Sequence, residues 1–109
     1  MAAFVKGAVV VVPFSFSDLT STKRRPALVV AELTRNDLIL CLITSKTAND
    51  SYTTLIENDD FETGSLNRTY VKSNRVFTAN EQIIAYKVGM LTSEKINEVI
   101  DKLIVILQQ

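Results

Sequence analysis

The stretch that most restricts the fold is LILCLIT, residues 38–44, in which six consecutive apolar side chains precede the first polar one, Thr44. It is shorter than an ordinary helix and reads as a strand. Strand side chains alternate between two faces, so a strand that is apolar on both must be covered on both and lie centrally in its sheet. Thr44 then marks the place where the strand leaves the core. The preceding run, PALVVAEL (26–33), is its antiparallel partner across the turn TRND, with Asn36 and Asp37 in turn-favoured places. Residues 8–14, AVVVVPF, follow Gly7 and form a first strand. Between the first two strands the hydroxyl-rich SFSDLTSTKRR has no periodicity and reads as a long loop.

Further along, residues 52–56 make a short alternating strand, and ENDDFETGS is an acidic connection with room for a helical turn. Residues 69–78 and 83–91 are two more strand candidates around the ANEQ turn. Short strands in series point to a small antiparallel barrel or sandwich. The period then changes. Ile96, Val99, Ile100, Leu103 and Leu107 recur at helical spacing, Thr92 stands as an N-cap, and Leu91 can staple against Ile96 across it. Near its end, LIVIL makes this helix apolar nearly all round. One stripe faces the domain's own core; the other is covered either by a partner subunit or by deeper burial in the same monomer.

With 109 residues the chain is expected to be one domain, 1–109, so any site sits on the edge of a single core or is completed by a second copy. Twelve acids balance twelve bases, which excludes a global field that would collect nucleic acid or an anionic membrane and leaves local patches open. Such patches exist. Glu57, Asp59, Asp60 and Glu62 form an acidic cluster; Lys23, Arg24 and Arg25, and later Arg68, Lys72 and Arg75, form basic ones. Each reads equally as a solvated face. The single cysteine, Cys41, sits inside the apolar run and reads as a core residue rather than a nucleophile. The N-terminal apolar stretch is too short for a membrane span and lacks a cleavage pattern, so a cytoplasmic protein without membrane association is expected.

The absence of histidine removes Ser/His/Asp and Cys/His nucleophile systems and a two-histidine ribonuclease mechanism. Zinc sites of the usual kind and Gly-rich phosphate loops also lack their residues. A magnesium ion at the acidic cluster stands against a solvated loop there. No cofactor is expected.

What remains is KRRP, residues 23–26. The ring of Pro26 forces Arg25 towards an extended backbone, so the direction of its side chain is partly set, and Arg24 would point to the opposite side. A guanidinium held there suits a phosphodiester, and suits still better the phosphorane formed when it is attacked. The plainer alternative is a solubilising tract on a loop.

Taken in order, KGAVVVVPFSFSDLTSTKRRPALVV, DLILCLITSK, YVKSNRVFT and KVGMLTSEKINEVIDKL resemble the PemK/MazF toxins of type II toxin–antitoxin systems over essentially the whole chain. The resemblance implies a mainly β fold, a small SH3-like antiparallel barrel with a C-terminal helix, and a homodimer. It implies a metal-independent, sequence-selective endoribonuclease that cuts single-stranded mRNA until a cognate antitoxin blocks it. By position the family's arginine before proline falls on Arg25 and its catalytic hydroxyl on Thr44. Arg24, Ser45, Lys46, Lys72 and Arg75 would bind the RNA backbone, and the loop 15–24 would border its groove. The chain departs from the family in having Gly7-Ala8 where Gly-Asp is common, in lacking a first-loop histidine, and in having no aspartate beside Arg68, Lys72 or Arg75. Two other readings stand beside this one: a non-enzymatic barrel toxin that binds a protein, like gyrase inhibitors of the CcdB type, and an inactive member that only binds RNA or a partner.

Overall fold

The strand with two apolar faces is central. In the structure, a computed structural model that describes residues 4–15 and 22–109, β3 (Asp37–Thr44) lies between β2 (Thr22–Glu32) and β6 (Thr69–Asn80). The other elements are β1 (Ala8–Ser15), β4 (Thr53–Ile56), β5 (Phe61–Gly64), β7 (Tyr86–Leu91) and the helix α1 (Ser93–Leu107). Every strand pairing is antiparallel, in the order β4-β6-β3-β2-β1-β7-β5. The sheet curls into a half-barrel with α1 against it, the mainly β fold with a C-terminal helix that the sequence led us to expect.

Alternation along β1, β2 and β3 feeds two cores. Val9, Leu28, Cys41 and Ile43 face one, closed by Ile96 and Val99 of α1; Val10, Val12, Ala27, Val29, Leu38 and Leu40 face the other, closed by Ala79 and Ile84 as the sheet curls. Complete burial of each aliphatic side chain contributes about 1.5–3 kcal/mol. Cys41 is wholly buried and its thiol is pushed up to about 11 by that burial, so it behaves as a small apolar residue.

Gly7 adopts φ +97, and a Cβ there would collide with the Cδ1 of Ile96. The left-handed φ is what calls for glycine here, and the contact with Ile96 shows α1 lying close over the entrance to β1. Ala8 beside it is fully buried among the second core's aliphatics, a setting that suits a small apolar side chain. At the far end, the Thr92 hydroxyl accepts from the Lys95 amide at 3.4 Å, and Leu91 and Ile96 join the same core, as a capped and stapled helix start requires. Ile96 and Val99 are buried, but Leu107, expected on the packed stripe, is 74% exposed, and Ile104 and Val105 are exposed with it.

Apart from shifts of one or two residues at strand ends, three features differ from expectation. β2 starts at Thr22, so Lys23, Arg24 and Arg25 lie in a strand, paired with Phe14, Pro13 and Val12 of β1. The last strand starts at Tyr86 because Asn80 accepts from the Gln82 amide at 3.0 Å and turns residues 81–83 into a 3-10 segment. The acidic connection does contain a helical turn, Asn58–Asp60, but then forms β5 along β7.

Candidate functional site

Two interruptions of the backbone ladders open a cavity at one end of β3. The β2–β3 pairing ends at Ala27↔Leu42, one residue from Pro26, which has no amide to continue it. On the other side Cys41 pairs with Val76 while Ile43 pairs with Val71, so two steps along β3 are met by five along β6. Residues 72–75 bulge out there. The cavity between them, of about 320 Å³, is lined by Arg25, Thr44, Ser45, Lys46, Lys72 and Arg75, over Leu42, Ile43, Thr47 and Ala48.

The alternation that built the second core also builds this site. Val29 and Ala27 face that core, so Arg25, two residues further, emerges on the same face just past its edge; Leu40 gives way in the same manner to Leu42 and Thr44. An apolar stripe thus ends in a guanidinium and a hydroxyl. Arg25 is half-buried, whereas Arg24 is exposed and does not line the cavity, in accord with their opposite directions around Pro26. Six of the seven residues singled out from sequence therefore meet at one place, and Arg24 does not. Of the loop 15–24, residues 16–21 lie outside the described residues.

The Thr44 Oγ1 accepts from the Lys46 amide at 3.2 Å, which leaves the hydroxyl hydrogen to be donated into the cavity. The Lys72 ammonium donates at 3.1 Å both to Asp50 Oδ2 and to Thr53 Oγ1. Asp50 also accepts from the Thr53 hydroxyl at 2.7 Å and from the Tyr52 amide at 3.0 Å. The Thr53 hydroxyl, then Lys72 and the Tyr52 amide, hold its carboxyl below the usual aspartate range against an opposing desolvation. Asp50 was not singled out from sequence; it lies 22 residues from Lys72, and only the β4–β6 pairing brings the two together.

Among the described residues that line this cavity the ionisable side chains are all cations, which are not suited to hold a metal. Among the described residues no group of three or more His, Cys, Asp or Glu could hold one either. Glu57 and Asp60 of the acidic cluster cap each other's amides around the turn. No described helix is long and apolar enough to cross a membrane.

Residues 5–107 match the family model described as PemK-like, MazF-like toxin of type II toxin-antitoxin system. A search of curated proteins finds no match. Among solved structures, the chain is similar to a MazE–MazF structure from Deinococcus radiodurans (TM-score 0.81, 16% identity, covering 100% of this chain and 99% of that one). It is also similar to an endoribonuclease in complex with its cognate antitoxin from a Mycobacterial species (TM-score 0.77, 18% identity, 97% and 96% covered). A third is the Mycobacterium tuberculosis toxin MazF-mt6 (TM-score 0.69, 13% identity, 93% and 96% covered).

Proposed function

The chain belongs to the PemK-like, MazF-like toxins of type II toxin–antitoxin systems, and we propose on that premise that it is a metal-independent, sequence-selective endoribonuclease acting on single-stranded mRNA. The observation that carries this reading is the meeting of Arg25 and Thr44 at one cavity rimmed by Lys46, Lys72 and Arg75, in a chain without histidine.

Such a site can bind and polarise a phosphodiester, but it offers no nucleophile of the usual kind. RNA supplies its own. The 2′-oxygen attacks the adjacent phosphorus and loses its proton; the bond from phosphorus to the 5′-oxygen breaks, and that oxygen takes up a proton. The products are a 2′,3′-cyclic phosphate and a 5′-hydroxyl end. Arg25 stabilises the extra negative charge of the phosphorane, and Thr44 donates to a non-bridging oxygen. Ser45, Lys46, Lys72 and Arg75 hold the neighbouring backbone, which positions the strand without reading its bases.

The test uses mixed-sequence single-stranded RNA in excess EDTA. Cleavage should persist, should leave cyclic phosphate ends, and should stop when a single 2′-deoxynucleotide stands 5′ of a mapped scissile phosphate, while that RNA still binds. Single-stranded DNA of the same sequence should stay intact. Cleavage of the deoxy-substituted RNA, or a requirement for magnesium, would reject the mechanism.

Two partners accompany this reading. The mycobacterial relative is in complex with its cognate antitoxin; for this chain, an acidic segment of a cognate antitoxin would compete with RNA for the cationic cavity, so its binding should weaken with salt and in Arg25→Ala. A second copy of the chain would cover the exposed Ile104, Val105 and Leu107 of α1. Sedimentation as a monomer at micromolar concentration would remove the dimer from the proposal.

A further inference from the structure

Lys72 and Arg75 stand on the stretch of β6 that has lost its partner on β3, with residues 72–75 between the pairs Ile43↔Val71 and Cys41↔Val76. On the other edge, the β4–β6 pairing extends only to Thr53↔Lys72. A bulge of this size has few ladder bonds to hold its backbone, and of its two cations it is Lys72, at its start, that is tied further, by Thr53 in the β4 ladder and by Asp50 at its ammonium. Of the two residues between them, Ser73 and Asn74, the first is unlike its neighbours. Ser73 is wholly buried, whereas Asn74 and Arg75 are exposed.

Ser73 is fixed at two points. Its amide donates to the Tyr52 carbonyl at 3.0 Å, which ties the bulge to the loop that also carries Asp50. Its hydroxyl donates to the Val99 carbonyl at 3.1 Å, in the middle of α1. A carbonyl in a helix interior already has its partner one turn on, so α1 does not require this bond for its own satisfaction. A buried hydroxyl, in contrast, does require an acceptor. The bond therefore serves the bulge more than the helix.

We propose that Ser73 is a positioning residue of the cavity: its hydroxyl, held by the Val99 carbonyl, seats the β6 bulge on α1 so that Lys72 and Arg75 stand at the rim. It touches no substrate and acts through the two cations. The proposal rests on reading the cavity as an RNA phosphate site, and its test separates the two.

Ser73→Ala removes the tether and leaves no acceptor orphaned. Amide hydrogen exchange in residues 72–75 should quicken at least tenfold while amides of β1, β2 and β3 keep their rates. On non-cleavable, 2′-deoxy-substituted RNA, the slope of log affinity against log salt should become shallower by about 0.7 for each phosphate that the rim no longer neutralises. In a Lys72→Ala/Arg75→Ala background, Ser73→Ala should change neither affinity nor slope. Ser73→Cys, with a similar shape and a weaker donor, should fall between serine and alanine, and it stands in as the test variant if alanine fails to fold.

Unchanged exchange in residues 72–75, or a uniform rise across the sheet, would overturn the proposal whatever RNA does. So would an unchanged salt slope, or an effect that adds to that of the double variant. Quickened exchange confined to the bulge, in a protein whose wild type ignores RNA, would support the tether and reject the functional reading instead.

Discussion

The chain's acidic and basic clusters are equally conspicuous in sequence and have opposite fates in the fold. Glu57 and Asp60 spend their carboxylates on one turn: the Glu57 amide donates to Asp60 Oδ2 at 2.8 Å, and Asp60's amide is capped in return. The Asp60 carbonyl accepts from the Thr92 amide at 2.8 Å, and its carboxylate stands 3.8 Å from the Lys95 ammonium. The cluster therefore seats the start of α1. The cations around the cavity come from β2, from the segment after β3 and from β6, and Lys72 finds its partners, Asp50 and Thr53, on yet another part of the chain. The acidic charges, adjacent in sequence, serve a local turn; the basic ones, distant in sequence, are gathered by the sheet around one shared cavity.

The largest expected effect tests the basic side of this contrast. Arg25→Ala should lower RNA cleavage by about 100- to 1,000-fold, the loss typical of removing one donor to a developing oxyanion. Circular dichroism and thermal melting should show the fold retained. Arg24→Ala should cost far less, and equal losses in two folded variants would break the distinction between a residue at the cavity and one outside it. Next, Thr44→Val should slow cleavage about 10- to 100-fold with little change in RNA affinity, since it removes one bond to a charged oxygen and keeps the shape; a loss confined to affinity would make Thr44 a binding group only.

Asp60→Ala tests the acidic side. It should cost about 1 kcal/mol of stability through the lost cap, read from urea unfolding, and leave the cleavage rate of the folded protein unchanged. A rate loss with unchanged stability would return the acidic cluster to the chemistry.

The smallest effect concerns Asp50, whose carboxyl is held down in the folded state. The stability it adds is present above the ordinary aspartate range and is lost as pH falls through its lowered folded value. The acid limb of a stability profile should therefore be slightly flatter in Asp50→Asn. An identical limb would mean that the bonds from Thr53, Lys72 and the Tyr52 amide together add nothing measurable.

Much of the fold was legible because alternation and burial are the same fact seen twice. LILCLIT had to be central, and Thr92 had to start a helix before Ile96. The neighbourhood of the site was legible too, since Pro26 directs Arg25 and Thr44 is the first polar residue of a buried strand. β5 was not legible: FETG has no apolar alternation and becomes a strand only because β7 lies beside it. The start of β2 was obscured by three cations, which pair with β1 despite their polarity. The link from Asp50 to Lys72 and that from Ser73 to Val99 carry no signal of their own, because they span 22 and 26 residues and are reached only through the assembled sheet and helix.

The strand order has a temporal consequence. β1 pairs with β7, and β3 with β6, so the first strand waits for almost the last before its second edge is filled. Pairings of such long sequence separation form late and together. Arg25 emerges early from a ribosome, but the rim bearing Lys72 and Arg75 is seated only after Val99 of α1 has followed. A half-made chain therefore holds no half-made cavity: the site is complete only after most of the chain has been synthesised and folded as one unit.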